Sequence, residues 1–172
     1  MNIHLTAGMK KADDFFSLYK PSDLHTLDSG KTLVYHALKN TSLPDRYEIT
    51  NFLLDQGGEP GEANAYGETV LHVLFGHVNH DIQEDVKLAK RFIEAGADIN
   101  ALDKAKRLPF LGVLNMKYTD EELQPLYDIW LESPNADFTT KSNYGFSNLE
   151  LAAKVPYRSH ILQQMKQYIE KQ

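Results

Sequence analysis

The chain has no cysteine among its 172 residues. That excludes disulfides, thiolate metal sites and a cysteine nucleophile, and it suits a reducing compartment. No apolar run reaches the length of a membrane span. The first residues, Met1-Asn2-Ile3-His4-Leu5-Thr6-Ala7-Gly8-Met9, lack a basic start followed by a long apolar stretch, so no secretory leader is expected and the expected location is cytoplasmic. Positive charge is also in short supply, with 18 Lys and Arg against 24 Asp and Glu and a net charge of −6. An acidic surface repels phosphate backbones, which argues against nucleic acid. It serves solubility and suits electrostatic steering toward a basic protein partner. Apolar residues make up 42% of the chain, enough for a folded protein.

A period runs through the sequence. Thr32, Thr69, Leu108 and Ser147 each head the same kind of segment, at spacings of 37, 39 and 39 residues. A fixed period in this range means stacked supersecondary units rather than one globular core. Each unit is expected to close its second helix on a residue able to adopt positive φ: Gly57, Gly96 and, in the third unit, Asn135. The next unit begins 12 residues after each of these. The variation in length therefore belongs to the loops between the two helices, near 39–46, 76–84, 115–124 and 154–159.

Local chemistry outlines the helices. Thr69 is a good N-cap, and His72, three residues on, can hydrogen-bond back to it. Pro109 follows Leu108 at a first helical position, where a missing N–H costs nothing. Short apolar first helices are expected over Leu33–Leu38, Val70–Phe75, Pro109–Leu114 and Leu149–Ala153. Second helices are marked by helical periodicity at Tyr47, Ile49, Phe52, Leu53 and Leu54, then at Val86, Leu88, Ala89, Phe92 and Ile93. The third and fourth are marked at Leu126, Tyr127, Ile129, Trp130 and Leu131, and at Ile161, Leu162, Met165, Tyr168 and Ile169. Opposite this last set lie Gln163, Gln164, Lys166 and Gln167, the polar outer face a terminal unit requires. Thr119-Asp120-Glu121-Glu122 looks like a capping box, but Pro125 would fall inside the helix. A separate turn at 119–124, with the helix starting near Pro125, is the expectation. Phe15, Phe16, Leu18 and Tyr19 suggest a half-unit at about residues 9–20 that caps the N-terminal end.

These residues resemble the ankyrin repeat family. The likeness is best in Asn64-Ala65-Tyr66-Gly67-Glu68-Thr69-Val70-Leu71-His72 and in Glu94-Ala95-Gly96-Ala97-Asp98-Ile99-Asn100-Ala101. It is weaker in Gly30-Lys31-Thr32-Leu33-Val34, in Asp103-Lys104-Ala105-Lys106-Arg107-Leu108-Pro109-Phe110 and in the segment from Tyr144 to Ala153. The resemblance implies one all-α solenoid domain over 1–172: an N-terminal cap or half-repeat (1–27) and repeats at 28–63, 64–101, 102–138 and 139–172. It implies a curved stack of helix pairs with finger-like turns, and binding of another protein through fingertips and the concave face. No family-wide catalytic site or cofactor comes with it.

The expected partner-binding residues are therefore Tyr66, Glu68, Leu102, Lys104, Lys106, Tyr144 and Phe146 on the fingers, with His36 and Val73 on the concave face. Exposed aromatics are enriched at interface hot spots. Three histidines of the second unit, His72, His77 and His80, offer a competing metal site with Asp81 or Glu84, but His72 already has a structural task. Gly30-Lys31-Thr32 looks like the end of a phosphate loop, yet His25 stands where that pattern needs glycine. No nucleophile, base and acid fall into a recognisable arrangement. The expectation is a monomeric, non-catalytic protein-binding module with no cofactor, metal, nucleic acid or membrane partner. An inhibitor or immunity-type protein that neutralises an enzyme or toxin is the alternative, and a metal-binding enzyme built on the second-unit histidines is the less favoured one.

Overall fold

The computed structural model describes residues 1–172. It is all-α apart from one two-stranded hairpin. Ten α-helices follow one another as α1 Ile3–Met9, α2 Ala12–Leu18, α3 Leu33–Leu38, α4 Leu43–Asp55, α5 Val70–Phe75, α6 Ile82–Glu94, α7 Phe110–Leu114, α8 Asp120–Leu131, α9 Asn148–Ala153 and α10 Ser159–Glu170. β1 (Leu27–Asp28) pairs antiparallel with β2 (Lys31–Thr32). No helix is long and apolar enough to cross a membrane.

The helices pack in two rows. α1, α3, α5, α7 and α9 touch in that order, and so do α2, α4, α6, α8 and α10. One buried cluster runs from Ala7 through every pair to Met165, so each pair buries its apolar side against the next. Aromatic rings carry that contact across the second half. Trp130 lies 5.5 Å from Phe75 and 4.9 Å from Phe110, while Phe138 reaches Phe110 at 5.2 Å and Tyr168 at 5.4 Å. On α10, Gln163, Lys166 and Gln167 face water.

The local signals set the short helices. Thr32 Oγ1 accepts from the Tyr35 N–H at 3.1 Å, and Ser147 Oγ accepts from the Glu150 N–H at 3.2 Å. The Thr69 N–H donates to His72 Nδ1 at 3.1 Å. Gly57 and Gly96 close α4 and α6 with φ of 90° and 100°. The following N–H groups reach back to Leu53 and Phe92 carbonyls at 2.8 and 2.9 Å.

Four expectations need correction. The N-terminal element is a full helix pair rather than a half-unit at residues 9–20. α1 is capped by Asn2, whose Oδ1 accepts from the His4 N–H at 2.8 Å, and it packs on α3. Asn135 does not take positive φ. Pro134 follows the end of α8 instead, and the Asn135 carbonyl accepts from Asn100 Nδ2 at 2.7 Å. α8 begins at Asp120 and runs through Pro125. The missing proline N–H falls opposite the carbonyl of Glu121, an exposed residue, and the Thr119–Glu122 capping box is fully formed. Finally, the inter-helix loops are shorter than expected, since α4 and α6 already start at Leu43 and Ile82.

Candidate partner-binding surface

Four turns project before the short helices, and a short polar side chain organises each of the last three. Asn64 Oδ1 accepts from the Tyr66 and Glu68 N–H groups at 2.9 and 3.0 Å. Asp103 Oδ1 accepts from Ala105 and Arg107 at 2.9 and 2.8 Å. Ser142 Oγ accepts from the Tyr144 N–H at 3.2 Å. Short polar side chains bond their own backbone two residues on and so hold a turn. In the first turn, Ser29 and Gly30 both have positive φ (52° and 73°), the geometry that closes a two-residue hairpin. The equivalent left-handed position is Gly67, Lys106 and Gly145 in the later turns, with φ of 75°, 58° and 88°.

Neighbouring turns are tied together by backbone. The Lys104 N–H donates to the Tyr66 carbonyl at 2.9 Å, and the Asn143 N–H donates to the Ala105 carbonyl at 2.8 Å. The tips of the last three turns therefore form one ladder, with Tyr66 and Tyr144 at its ends and Lys104 and Lys106 between. Tyr66 and Tyr144 are 70% and 72% exposed.

The expected site residues divide into two groups. Tyr66, Leu102, Lys104, Lys106, Tyr144 and Phe146 are exposed on the turns, and Lys154 Nζ sits 4.5 Å from the centre of the Phe146 ring. Glu68, His36 and Val73 are half-buried. Glu68 turns inward, accepting from Asn64 Nδ2 at 2.8 Å and facing Arg107 at 3.8 Å. His36 points Nε2 at the Asp28 carbonyl, 3.3 Å away, and burial holds its pKa below the usual histidine value.

The second-unit histidines do not converge on an ion. His72 uses Nδ1 as an acceptor, and its Nε2–H donates to the Arg107 carbonyl at 2.8 Å. His77 donates to the Leu38 carbonyl at 2.8 Å. His80 donates through Nε2 to the His77 carbonyl at 2.6 Å and meets Asp85 through Nδ1 at 2.5 Å. No group of three His, Asp or Glu is placed to hold a metal ion. All three rings work as braces between turns and helix pairs.

Behind the turns, α5 and α7 leave a shallow groove of about 160 Å³ lined by His72, Gly76, Arg107, Leu111, Gly112 and Asn115. It continues past Gly76 and Gly112 toward Val78 and Lys117 as a second hollow of about 290 Å³. The glycines matter because a Cβ on Gly112 would lie 2.8 Å from the Phe75 Cβ.

No protein-family model matches the sequence, and no curated protein matches it. A solved structure does. It is the crystal structure of a functionally unknown protein from Leptotrichia buccalis C-1013-b. The two superpose with a TM-score of 0.85 at 28% identity, over 99% of this chain and 93% of that one. The likeness therefore spans the N-terminal helix pair as well as the periodic part.

Sequence reasoning named the exposed tips but missed Asn64, Asp103 and Ser142, which hold them. Their signal was present: these residues stand 39 and 39 apart, each five residues before Thr69, Leu108 or Ser147.

Proposed function

We propose that this chain is an ankyrin-repeat stack that binds another protein without catalysing a reaction, using the turn tips and the adjoining short-helix face. The observation that carries this reading is the pair Tyr66 and Tyr144, held far into solvent on turns that hydrogen-bond to their neighbours. A large ring left in water gains nothing for folding, whereas a rigidly mounted one docks at low entropic cost. Tyrosine is among the residues that dominate interface energetics. The second-unit histidines His72, His77 and His80, the residues that would carry a metal-dependent alternative, are engaged in internal bonds, which favours a binding role over an enzymatic one.

The test is affinity capture from extract of the source organism with immobilised chain, comparing the native sequence with a Tyr66→Ala/Tyr144→Ala double variant of unchanged unfolding midpoint. A stoichiometric protein partner retained by the native chain and reduced at least about tenfold by the double variant supports the proposal. Equal retention by both, or retention of no protein, overturns it.

A further inference from the structure

The chain is acidic, but its proposed binding side is not. The four turns with their short helices span 27–39, 64–76, 102–115 and 141–154. They hold seven of the 18 cationic side chains (Lys31, Lys39, Lys104, Lys106, Arg107, Lys141 and Lys154) but only four of the 24 carboxylates. Those four carboxylates are all engaged within the molecule. Asp28 accepts from Asn2 at 2.7 Å, and Glu68 from Asn64 at 2.8 Å. Asp103 bonds Arg107 at 2.6 Å, and Glu150 accepts from the Ser147 N–H at 2.8 Å while meeting Lys141 at 2.9 Å. Lys39, Lys104, Lys106 and Lys154 meet no carboxylate within 4 Å. The net negative charge therefore resides elsewhere, on the longer helices and connecting loops.

We infer that the turn-tip row Tyr66–Lys104–Lys106–Tyr144 receives an acidic polypeptide segment, so that the partner brings carboxylates and not cations to this face. The inference rests on the protein-binding reading above and names the partner's chemistry. It reverses what net charge alone suggests. Two tyrosine rings bracket the free ammonium groups, a layout that takes apolar or aromatic residues at two places and carboxylates between them. Lys106 adds a structural sign. It keeps the left-handed conformation that glycine occupies in the other three turns, a conformation that is unfavourable for any residue with a Cβ. A lysine held there projects its charge from the turn beside Lys104. The acidic remainder of the molecule then repels the same partner from every other face and so fixes the docking orientation.

Three fluorescent peptides decide it: a Glu/Tyr/Gly sequence, the same with Gln for every Glu, and the same with Lys for every Glu, alongside oligouridylate. Anisotropy titrations use the full chain and a Lys104→Glu/Lys106→Glu variant whose circular dichroism matches the native chain. The Glu peptide is expected to bind at least about tenfold more tightly than the Gln peptide. That advantage should weaken as salt rises from about 50 to about 200 mM and vanish in the double variant. Equal affinity for the Glu and Gln peptides, tighter binding of the Lys peptide, no binding of any peptide, or tighter binding of the RNA each overturns the inference. The capture experiment separates the two failures: partner capture that depends on Tyr66 and Tyr144, without any preference for the Glu peptide, sinks only the assignment of charge.

Discussion

The Tyr47 hydroxyl donates to the buried Asp85 carboxylate at 2.6 Å, across the junction between two helix pairs. The same carboxylate meets His80 at 2.5 Å, and the Tyr118 hydroxyl bonds the His80 carbonyl at 3.0 Å. One polar chain thus fastens three successive pairs inside the apolar stack. Burial, followed by the hydrogen bond to Asp85, pushes the Tyr47 hydroxyl pKa well up, so it stays a donor at any physiological pH. Tyr47→Phe removes that donor and leaves one Asp85 oxygen buried without a partner. The expected cost is about 1–3 kcal/mol, read from the midpoint of urea unfolding. An unchanged midpoint would mean that water takes the place of the lost donor.

Gly112 lets α7 close onto α5. A Cβ there would meet the Phe75 carbonyl oxygen at 2.9 Å as well as the Phe75 Cβ. Backbone on the facing helix cannot rotate away, so Gly112→Ala is expected to destabilise by about 1–3 kcal/mol. Thermal unfolding should shift by about 2–4 °C per kcal/mol. No shift would show that the two helices slide apart freely.

Lys106 is the exception among the left-handed turn residues. Lys106→Gly removes a Cβ conflict of about 1 kcal/mol while adding freedom to the unfolded chain. A small net gain in stability is expected, by differential scanning calorimetry. The same change deletes one of the two tip ammonium groups, so binding and stability should move in opposite directions.

Two histidines give the stability a pH dependence of known sign. Burial chiefly, helped by the nearby Arg46 cation for His77, holds the pKa values of His36 and His77 below their ordinary value of 6.5. The unfolded chain therefore binds more protons than the folded one below about pH 6.5. Stability should be full above that pH and decline as the pH falls toward 5. His77→Gln can still donate to the Leu38 carbonyl and should flatten part of that decline in urea melts taken across the range. A steeper decline in the variant would assign the effect to other groups.

How far the sequence reached depended on how local each signal was. The short helices were legible because Thr32, Thr69 and Ser147 cap them from within the same turn of chain. α1 was not, because the face of Ile3–Met9 is buried by α3, far along the sequence, even though Asn2 caps it locally. Nor was the burial of Arg158. Its side chain is 1% exposed, and its guanidinium bonds the carbonyls of Leu114, Met116 and Tyr118 at 2.9, 2.6 and 2.9 Å, and Asp120 at 3.1 Å. Those acceptors come from the preceding helix pair, so nothing beside Arg158 in the chain announces that a buried cation is matched there.

The sequence by itself determined the period and the positions of the short helices. Each of those follows from residues within a few positions of one another: a cap, a glycine, an apolar repeat. Tertiary structure decided which charges are spent internally and which remain available, and it thereby gave the binding side a sign opposite to that of the whole chain. Electrostatic character belongs to where groups sit in space, and only the stacking of the pairs fixes that.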